Sequence, residues 1–180
     1  MLPQKYLNLL DELDTDSQQH SLGTLREHLL GTYQLLIEWG NPEYLALGGL
    51  FHSIYGTQKF SVQSISLDQR PYVARIIGEE AENLAYLFGV TERQGFLYEA
   101  GKQEPRLWNF IDHQLIPTTL KTIKDLIEIE VANAVDQQAL CVAANPQMIA
   151  HCQHVLARGA YYMSSDARTA LAQMIEETQV

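Results

Sequence analysis

The sequence predicts an all-α protein with a single domain. Nearly every apolar stretch repeats with helical spacing, and no run of alternating β-branched residues is long enough to begin a sheet. The 180 residues, 46% of them hydrophobic, suffice for one domain with a sizeable core and are few for two. Because no repeat, low-complexity tract or linker divides the chain, we expect one domain over 1–180.

The first helices are predicted from their caps and their apolar periodicity. Pro3 to Leu13 indicates a short amphipathic helix, and Ser21 is a plausible N-cap for a helix running to about Trp39. After Gly40-Asn41-Pro42, a second long helix is expected to run to about Tyr55. Gly56 is well placed to end it in the left-handed conformation.

The middle of the chain predicts a loop and then two helices. Residues 57–66 are mixed and polar, which is typical of a loop. Ser66 or Asp68 can cap a helix that is entered through Pro71, bends at Gly78 and continues to Phe88. A shorter helix is expected over 91–100.

The last third predicts an irregular segment followed by three helices. Residues 102–117 carry two prolines and several aromatics, and we expect irregular chain with the aromatics packed. Thr118 or Thr119 can cap a long helix to about Gln137. Asn145-Pro146 and Ser164-Ser165-Asp166 are cap signatures for two final helices within 146–177, which we expect to pack on the rest.

Composition excludes several classes of partner. With 22 acidic and 12 basic residues, the formal charge of −10 argues against nucleic acid and anionic membranes, which both need a basic face. No stretch approaches the roughly 20 apolar residues that span a bilayer, and the N-terminus lacks the apolar run of a secretory signal. Cys141 and Cys152 are too few for a disulfide framework, so we expect a cytoplasmic protein with reduced thiols.

Two histidines on neighbouring predicted helices form the main candidate site. His28 lies at the flank of the apolar stripe of its helix, close to Gly31, and His52 follows Gly48 and Gly49 by one turn. Each interior glycine costs about 1 kcal/mol relative to alanine, which indicates close backbone approach or room for something bound. The short connection can bring the imidazoles together, although both could also be partly buried histidines with satisfied hydrogen bonds.

A family resemblance extends this interpretation. The stretches 50–57 and 75–82, together with His28, resemble an uncharacterised bacterial family of the domain-of-unknown-function type, which is distantly similar to HD-domain metallohydrolases. The resemblance covers about 20–137 and implies an HD-like helical bundle. It places His28 at the first histidine, His52 at the histidine of the His-Asp dyad, and Asn133 at the final aspartate. Ser53 then stands where the dyad aspartate is expected.

These replacements remove two carboxylates from the implied metal site. Loss of both charges weakens a hard divalent ion unless other acids replace them. Glu79 and Glu82 share one helical face, and Glu130, Asn133 and Gln137 form a comparable row. If a row faces the histidines, a site of two histidines and one carboxylate could hold iron, manganese or zinc. Alternatively, these acids are ordinary exposed residues, as a pair of Glu79 with Arg75 would be.

Further candidates surround the histidines. Tyr55 and Thr57 offer hydroxyls near a pocket, and Arg75 could bind a phosphate or carboxylate. Tyr55 could equally be a core aromatic. The expected catalytic set is therefore His28, His52, Tyr55 and Arg75, the expected ligand-binding set is Ser53, Thr57, Asn133 and Gln137, and the expected metal ligands are His28, His52, Glu79 and Glu82.

The sequence leaves two main functions open. The first is a metal-dependent hydrolase or oxygenase that acts on a small polar or anionic substrate, with the histidines holding a metal or acting in acid–base chemistry. The second is a degenerate, non-catalytic HD-like domain that binds a small molecule or a protein partner. A third is a structural domain that supports homo-oligomers. The enzyme hypothesis requires that the His28 and His52 nitrogens converge on a shared cavity.

Overall fold

The computed structural model describes residues 2–20, 23–58, 60–138 and 146–178, and this part of the chain is mostly helical. The helices are α1 (Gln4–Glu12), α2 (Leu25–Glu38), α3 (Glu43–Leu50), α4 (Arg70–Ile77), α5 (Glu79–Val90), α6 (Arg93–Glu99), α7 (Leu120–Asp136), α8 (Pro146–Gly159) and α9 (Ser165–Glu177). A short 3₁₀ turn, Leu67–Gln69, leads into α4. The strands are β1 (Gln19–His20), β2 (Gly23–Thr24), β3 (Arg106–Asn109) and β4 (Gln114–Pro117).

The two antiparallel hairpins correct the expectation of a strand-free chain. β1 pairs with β2 immediately before α2, and β3 pairs with β4 with Leu107 opposite Ile116 and Trp108 opposite Leu115. Exposure alternates along β3, where Leu107 is buried while Trp108 is exposed. Residues 102–117 are therefore not irregular throughout. The strands have only two or four residues each, too few for an alternating pattern to stand out in the sequence.

The start of α2, which carries His28, and the end of α3, which precedes His52, differ from the predicted positions. α2 begins at Leu25 with Thr24 as its N-cap, in a capping box with Glu27, and the predicted cap Ser21 lies outside the described residues. α3 ends at Leu50 instead of Tyr55, so residues 51–55 form turns. His52 consequently lies on the turn after α3. Gly56 has the expected left-handed backbone, with φ of +75°.

Three other helix boundaries lie at residues that the sequence analysis named, although Gly78 has a stronger effect than the predicted bend. Gly78 breaks the expected long helix fully, because its φ of +92° separates α4 from α5. Thr119 caps α7 through the Thr122 amide, and Ser164 caps α9 through the Ala167 amide. The other predicted cap, Asn145, lies outside the described residues.

Helix α7 is the central element of the fold. It packs against α2, α3, α5, α6, α8 and α9, and nearly all of its residues from Ile123 to Ala134 are buried. A second group of buried side chains lies where α1, α2, α3, α4 and α5 meet, around Phe51 and Tyr55. In the described ranges, no helix combines the length and the apolar character needed to cross a membrane.

Candidate functional site

Three side chains from distant parts of the chain meet at one point. His28 on α2, His52 on the turn after α3 and Asn133 on α7 are all nearly or fully buried. His28 Nε2 lies 3.2 Å from His52 Nε2 and 3.1 Å from Asn133 Oδ1. The two imidazole nitrogens thus approach each other, as the enzyme hypothesis requires, but neither His28 nor His52 lines the neighbouring cavity, which it also requires.

The outer nitrogens of both rings are engaged by acceptors. His52 Nδ1 lies 2.7 Å from the carbonyl oxygen of Gly49, and His28 Nδ1 lies 2.6 Å from Asp136 Oδ2. Since a carbonyl or a carboxylate oxygen accepts, each Nδ1 carries a proton that it donates. The two Nε2 atoms therefore face each other and can share one proton or bind one cation.

Glycines make these approaches possible. A Cβ on Gly31 would lie 2.8 Å from Asp136 Cγ and closer still to its Oδ1, so the missing side chain admits the carboxylate that holds His28. At Gly48 and Gly49 the corresponding space is filled by Leu84 and Leu36. At all three glycines, therefore, a neighbouring side chain occupies the space, and neither a closely approaching backbone nor an open space for a bound molecule is found there.

Burial keeps the surrounding imidazoles neutral. It lowers the pKa of His52 well below its usual value, and the nearby His28 lowers it further. The pKa of His20 is lowered to about 4, first by burial and then by His28. The His20 ring stacks on His28 with centroids 4.4 Å apart, and Phe60 packs edge-on against His20.

A cavity of about 500 Å³ lies beside this cluster. It is lined by all four residues that the sequence predicts as ligand-binding, namely Ser53, Thr57, Asn133 and Gln137. Gln137 Nε2 also donates to Asn133 Oδ1 at 3.1 Å, which ties the cavity wall to the histidines. The other described residues that line it are Gln19, His20, Phe60, Arg93, Glu130, Ala134, Gln147, Met148, His151 and Cys152.

An ion-pair cluster lies on the same cavity wall. Glu130 Oε2 is 3.1 Å from Arg93 Nη1, and Glu130 Oε1 is 2.8 Å from His151 Nε2. The row of Glu130, Asn133 and Gln137 anticipated from helical spacing thus faces the cavity. Arg93 and His151 were not anticipated, because they come from α6 and α8 and reach the site only through packing on α7.

Glu79 and Glu82, the acids expected to replace the two missing carboxylates, do not lie beside the histidines. Glu82 is buried and accepts hydrogen bonds from Arg70 Nε at 2.7 Å, Arg70 Nη2 at 2.9 Å and Tyr55 Oη at 3.0 Å. Glu79 is exposed at the start of α5. The described ranges contain no group of three or more His, Cys, Asp or Glu residues that could hold a metal. The structure thus places Glu79 and Glu82 away from His28 and His52, because their helix face meets Arg70 and solvent.

Two of the predicted catalytic residues are also elsewhere. Arg75 is exposed, and its guanidinium lies 5.8 Å from the centre of the Tyr72 ring. Tyr55 is a core aromatic whose hydroxyl serves Glu82, and burial together with that carboxylate raises the tyrosine pKa. Neither residue lines the cavity.

Comparison with known proteins gives one family match. Residues 9–93 match the model of a family described as a domain of unknown function (DUF6817). The match supports the expectation of an uncharacterised domain family over these residues, and it gives no evidence of similarity to HD-domain proteins. The match includes His28 and His52 and ends before Asn133. Comparison with curated proteins and with solved structures returned no match.

Proposed function

We propose that the chain is a divergent HD-like protein in which His28, His52 and Asn133 bind one divalent transition-metal ion. The adjoining cavity then receives a small polar molecule, on which the protein acts as a hydrolase or an oxygenase. The observation that carries the proposal is that His28 Nε2 lies 3.2 Å from His52 Nε2 and 3.1 Å from Asn133 Oδ1. These are the positions that the HD resemblance assigns to metal ligands.

The donor set fits such an ion in geometry. Imidazole nitrogens bound to one zinc ion at about 2.0–2.1 Å, at tetrahedral angles, lie about 3.3 Å apart. The observed separation of His28 Nε2 and His52 Nε2 is 3.2 Å. Metal-binding histidines usually donate their other N–H to a carboxylate or a carbonyl oxygen, as both rings do here. Neutral nitrogen donors favour zinc or iron over magnesium and calcium, with manganese intermediate.

The protein's own groups have distinct parts in this proposal. A bound ion would supply Lewis acidity for the activation of water or dioxygen. Asp136 keeps the proton of His28 on Nδ1 and thereby directs Nε2 towards His52 and Asn133. The hydroxyls of Ser53 and Thr57 and the amide of Gln137 can hydrogen-bond a polar molecule in the cavity.

A non-catalytic binding domain is the second candidate, and one observation favours it. None of the three converging donors is a carboxylate, and a single proton between the two Nε2 atoms would satisfy both rings. In that case the cavity binds its molecule without turnover. The two candidates differ in whether a metal ion binds.

Metal binding by purified protein is the deciding measurement. We expect close to one equivalent of zinc, iron or manganese by elemental analysis after supplementation, and absorption bands of bound Co²⁺ in the cobalt-loaded protein. His28→Ala and His52→Ala should each remove the metal, since two ligands rarely suffice. His154→Ala is the matched control, because His154 is exposed on α8 and does not line this cavity.

Asn133 provides the sharper variant. Asn133→Asp restores a negative charge beside the two imidazoles and should tighten Zn²⁺ binding by about tenfold or more. Asn133→Ala should weaken it. If no metal binds the wild type after supplementation, and Asn133→Asp gains no affinity, the metal-dependent function is refuted and the binding domain remains.

A further inference from the structure

The guanidinium of Arg93 has an unusual environment. Its side chain is only 12% exposed and lies over the Phe88 ring, with Cζ 4.6 Å from the ring centre. Nη1 is paired with Glu130, but Nε is buried and has no hydrogen-bond partner among the residues that the structure describes. An unsatisfied buried donor destabilises a folded protein, and such groups are therefore rare.

Arg70 shows how this edge of a guanidinium is filled in the same chain. Its Nε and Nη2 donate two parallel hydrogen bonds to the carboxylate of Glu82, at 2.7 and 2.9 Å. This two-point geometry matches a planar carboxylate. In Arg93, the equivalent edge contains the unpartnered Nε, whereas the Glu130 contact uses Nη1 on the other side of the group.

The Arg93 side chain also lines two neighbouring cavities. It lines the cavity of about 500 Å³ and an adjoining depression of about 400 Å³. Gln147 and His151 line both as well, while Gln58, Glu92 and Gln94 line only the outer depression. The Arg93 side chain therefore borders both spaces.

We propose that Arg93 binds a carboxylate group of the molecule that occupies the cavity, through the Nε and Nη2 edge. This inference rests on the proposed binding of a small polar molecule and names its class as a monocarboxylate. Among the described residues that line the cavity, Arg93 is the one arginine or lysine, and Glu130 already offsets its charge. A single negative charge is therefore balanced better than the double charge of a phosphate, particularly in a chain of net charge −10.

The test follows the N–H of Arg93 directly. In ¹⁵N-resolved NMR spectra, the Nε–H signals of Arg93 and Arg70 can be assigned from their absence in Arg93→Lys and Arg70→Lys. The protein is then titrated with acetate, lactate and benzoate, with the uncharged amide of each acid, and with inorganic phosphate, at constant ionic strength. We expect at least one acid to move the Arg93 signal while its amide does not. The Arg70 signal should stay in place, because Glu82 already occupies that edge.

Calorimetry with the best acid provides the second readout. Arg93→Lys keeps the charge that faces Glu130 and loses the two-point edge, so the dissociation constant should rise about tenfold or more. Phosphate that moves the Arg93 signal at lower concentration than every acid would overturn the assignment to a carboxylate. Failure of every acid to move the signal would refute the site.

The outcome can be separated from that of the metal proposal. The same NMR titration in His28→Ala, which should lose the proposed metal ion, measures the response of the Arg93 Nε–H signal to carboxylates in the absence of that ion. A carboxylate response that persists in this variant supports the Arg93 site even if no metal binds the wild type. Loss of the carboxylate response alone leaves the metal experiment unaffected.

Discussion

Substitution of Gly31 by alanine should uncouple His28 from Asp136. The three non-local atoms nearest to a Cβ at this position all belong to the Asp136 carboxylate. A methyl group there cannot coexist with the hydrogen bond between Asp136 Oδ2 and His28 Nδ1. The aspartate must therefore move away and leave a buried N–H without its acceptor.

Two opposing terms set the magnitude. Alanine in place of an interior glycine stabilises a helix by about 1 kcal/mol. Loss of a hydrogen bond to a charged partner costs about 1.5–3 kcal/mol. We therefore expect Gly31→Ala to lower the free energy of unfolding by about 0.5–2 kcal/mol, which is a fall in Tm of a few degrees for a chain of this size.

A double-mutant cycle makes the prediction specific. In an Asp136→Ala background the clash is gone, so Gly31→Ala should stabilise the protein by about 1 kcal/mol. Urea denaturation of the four proteins measures both effects, and the difference should be about 1.5–3 kcal/mol. If Gly31→Ala has the same effect in both backgrounds, within about 0.5 kcal/mol, the proposed role of Gly31 is wrong.

Three further predictions concern caps, pH and the misplaced acids. Thr24→Ala removes the capping box of α2 and should cost about 1 kcal/mol in urea denaturation, whereas Thr24→Ser should cost little. His20 and His52 have lowered pKa values in the folded protein, so their imidazoles bind protons more readily in the unfolded state, and acid favours unfolding. The free energy of unfolding should therefore fall from about pH 6.5 towards pH 4, by up to about 1.4 kcal/mol per pH unit for each histidine. His20→Phe should reduce this pH dependence, and an unchanged pH dependence would contradict the lowered pKa of His20. Glu82→Gln breaks a buried ion pair and should lower Tm by several degrees, while the exposed Glu79→Gln should leave it within about a degree; a change in metal binding by either variant would reinstate them as ligands.

Local signals in the sequence determined most of the helices. Apolar periodicity located them, and Thr119 and Ser164 cap the helices that their chemistry predicts. The same periodicity placed Glu130, Asn133 and Gln137 on one face of α7. The pairing of His28 with His52 also followed, because a short connection keeps consecutive helices close together.

Only the tertiary structure decided what these faces meet. Asp136 reaches His28 across 108 positions of sequence, and Arg93 and His151 join Glu130 from two other helices. Helical spacing shows which residues share a face, but packing of the whole core selects the opposite face. Glu79 and Glu82 share a helical face by their spacing, just as Glu130, Asn133 and Gln137 do, but in the structure Glu82 contacts Arg70 and Glu79 is exposed to solvent. The proximity of His28 and His52 could therefore be predicted from the sequence, whereas their charged partners and the neighbouring cavity depend on how α7 packs against the other helices.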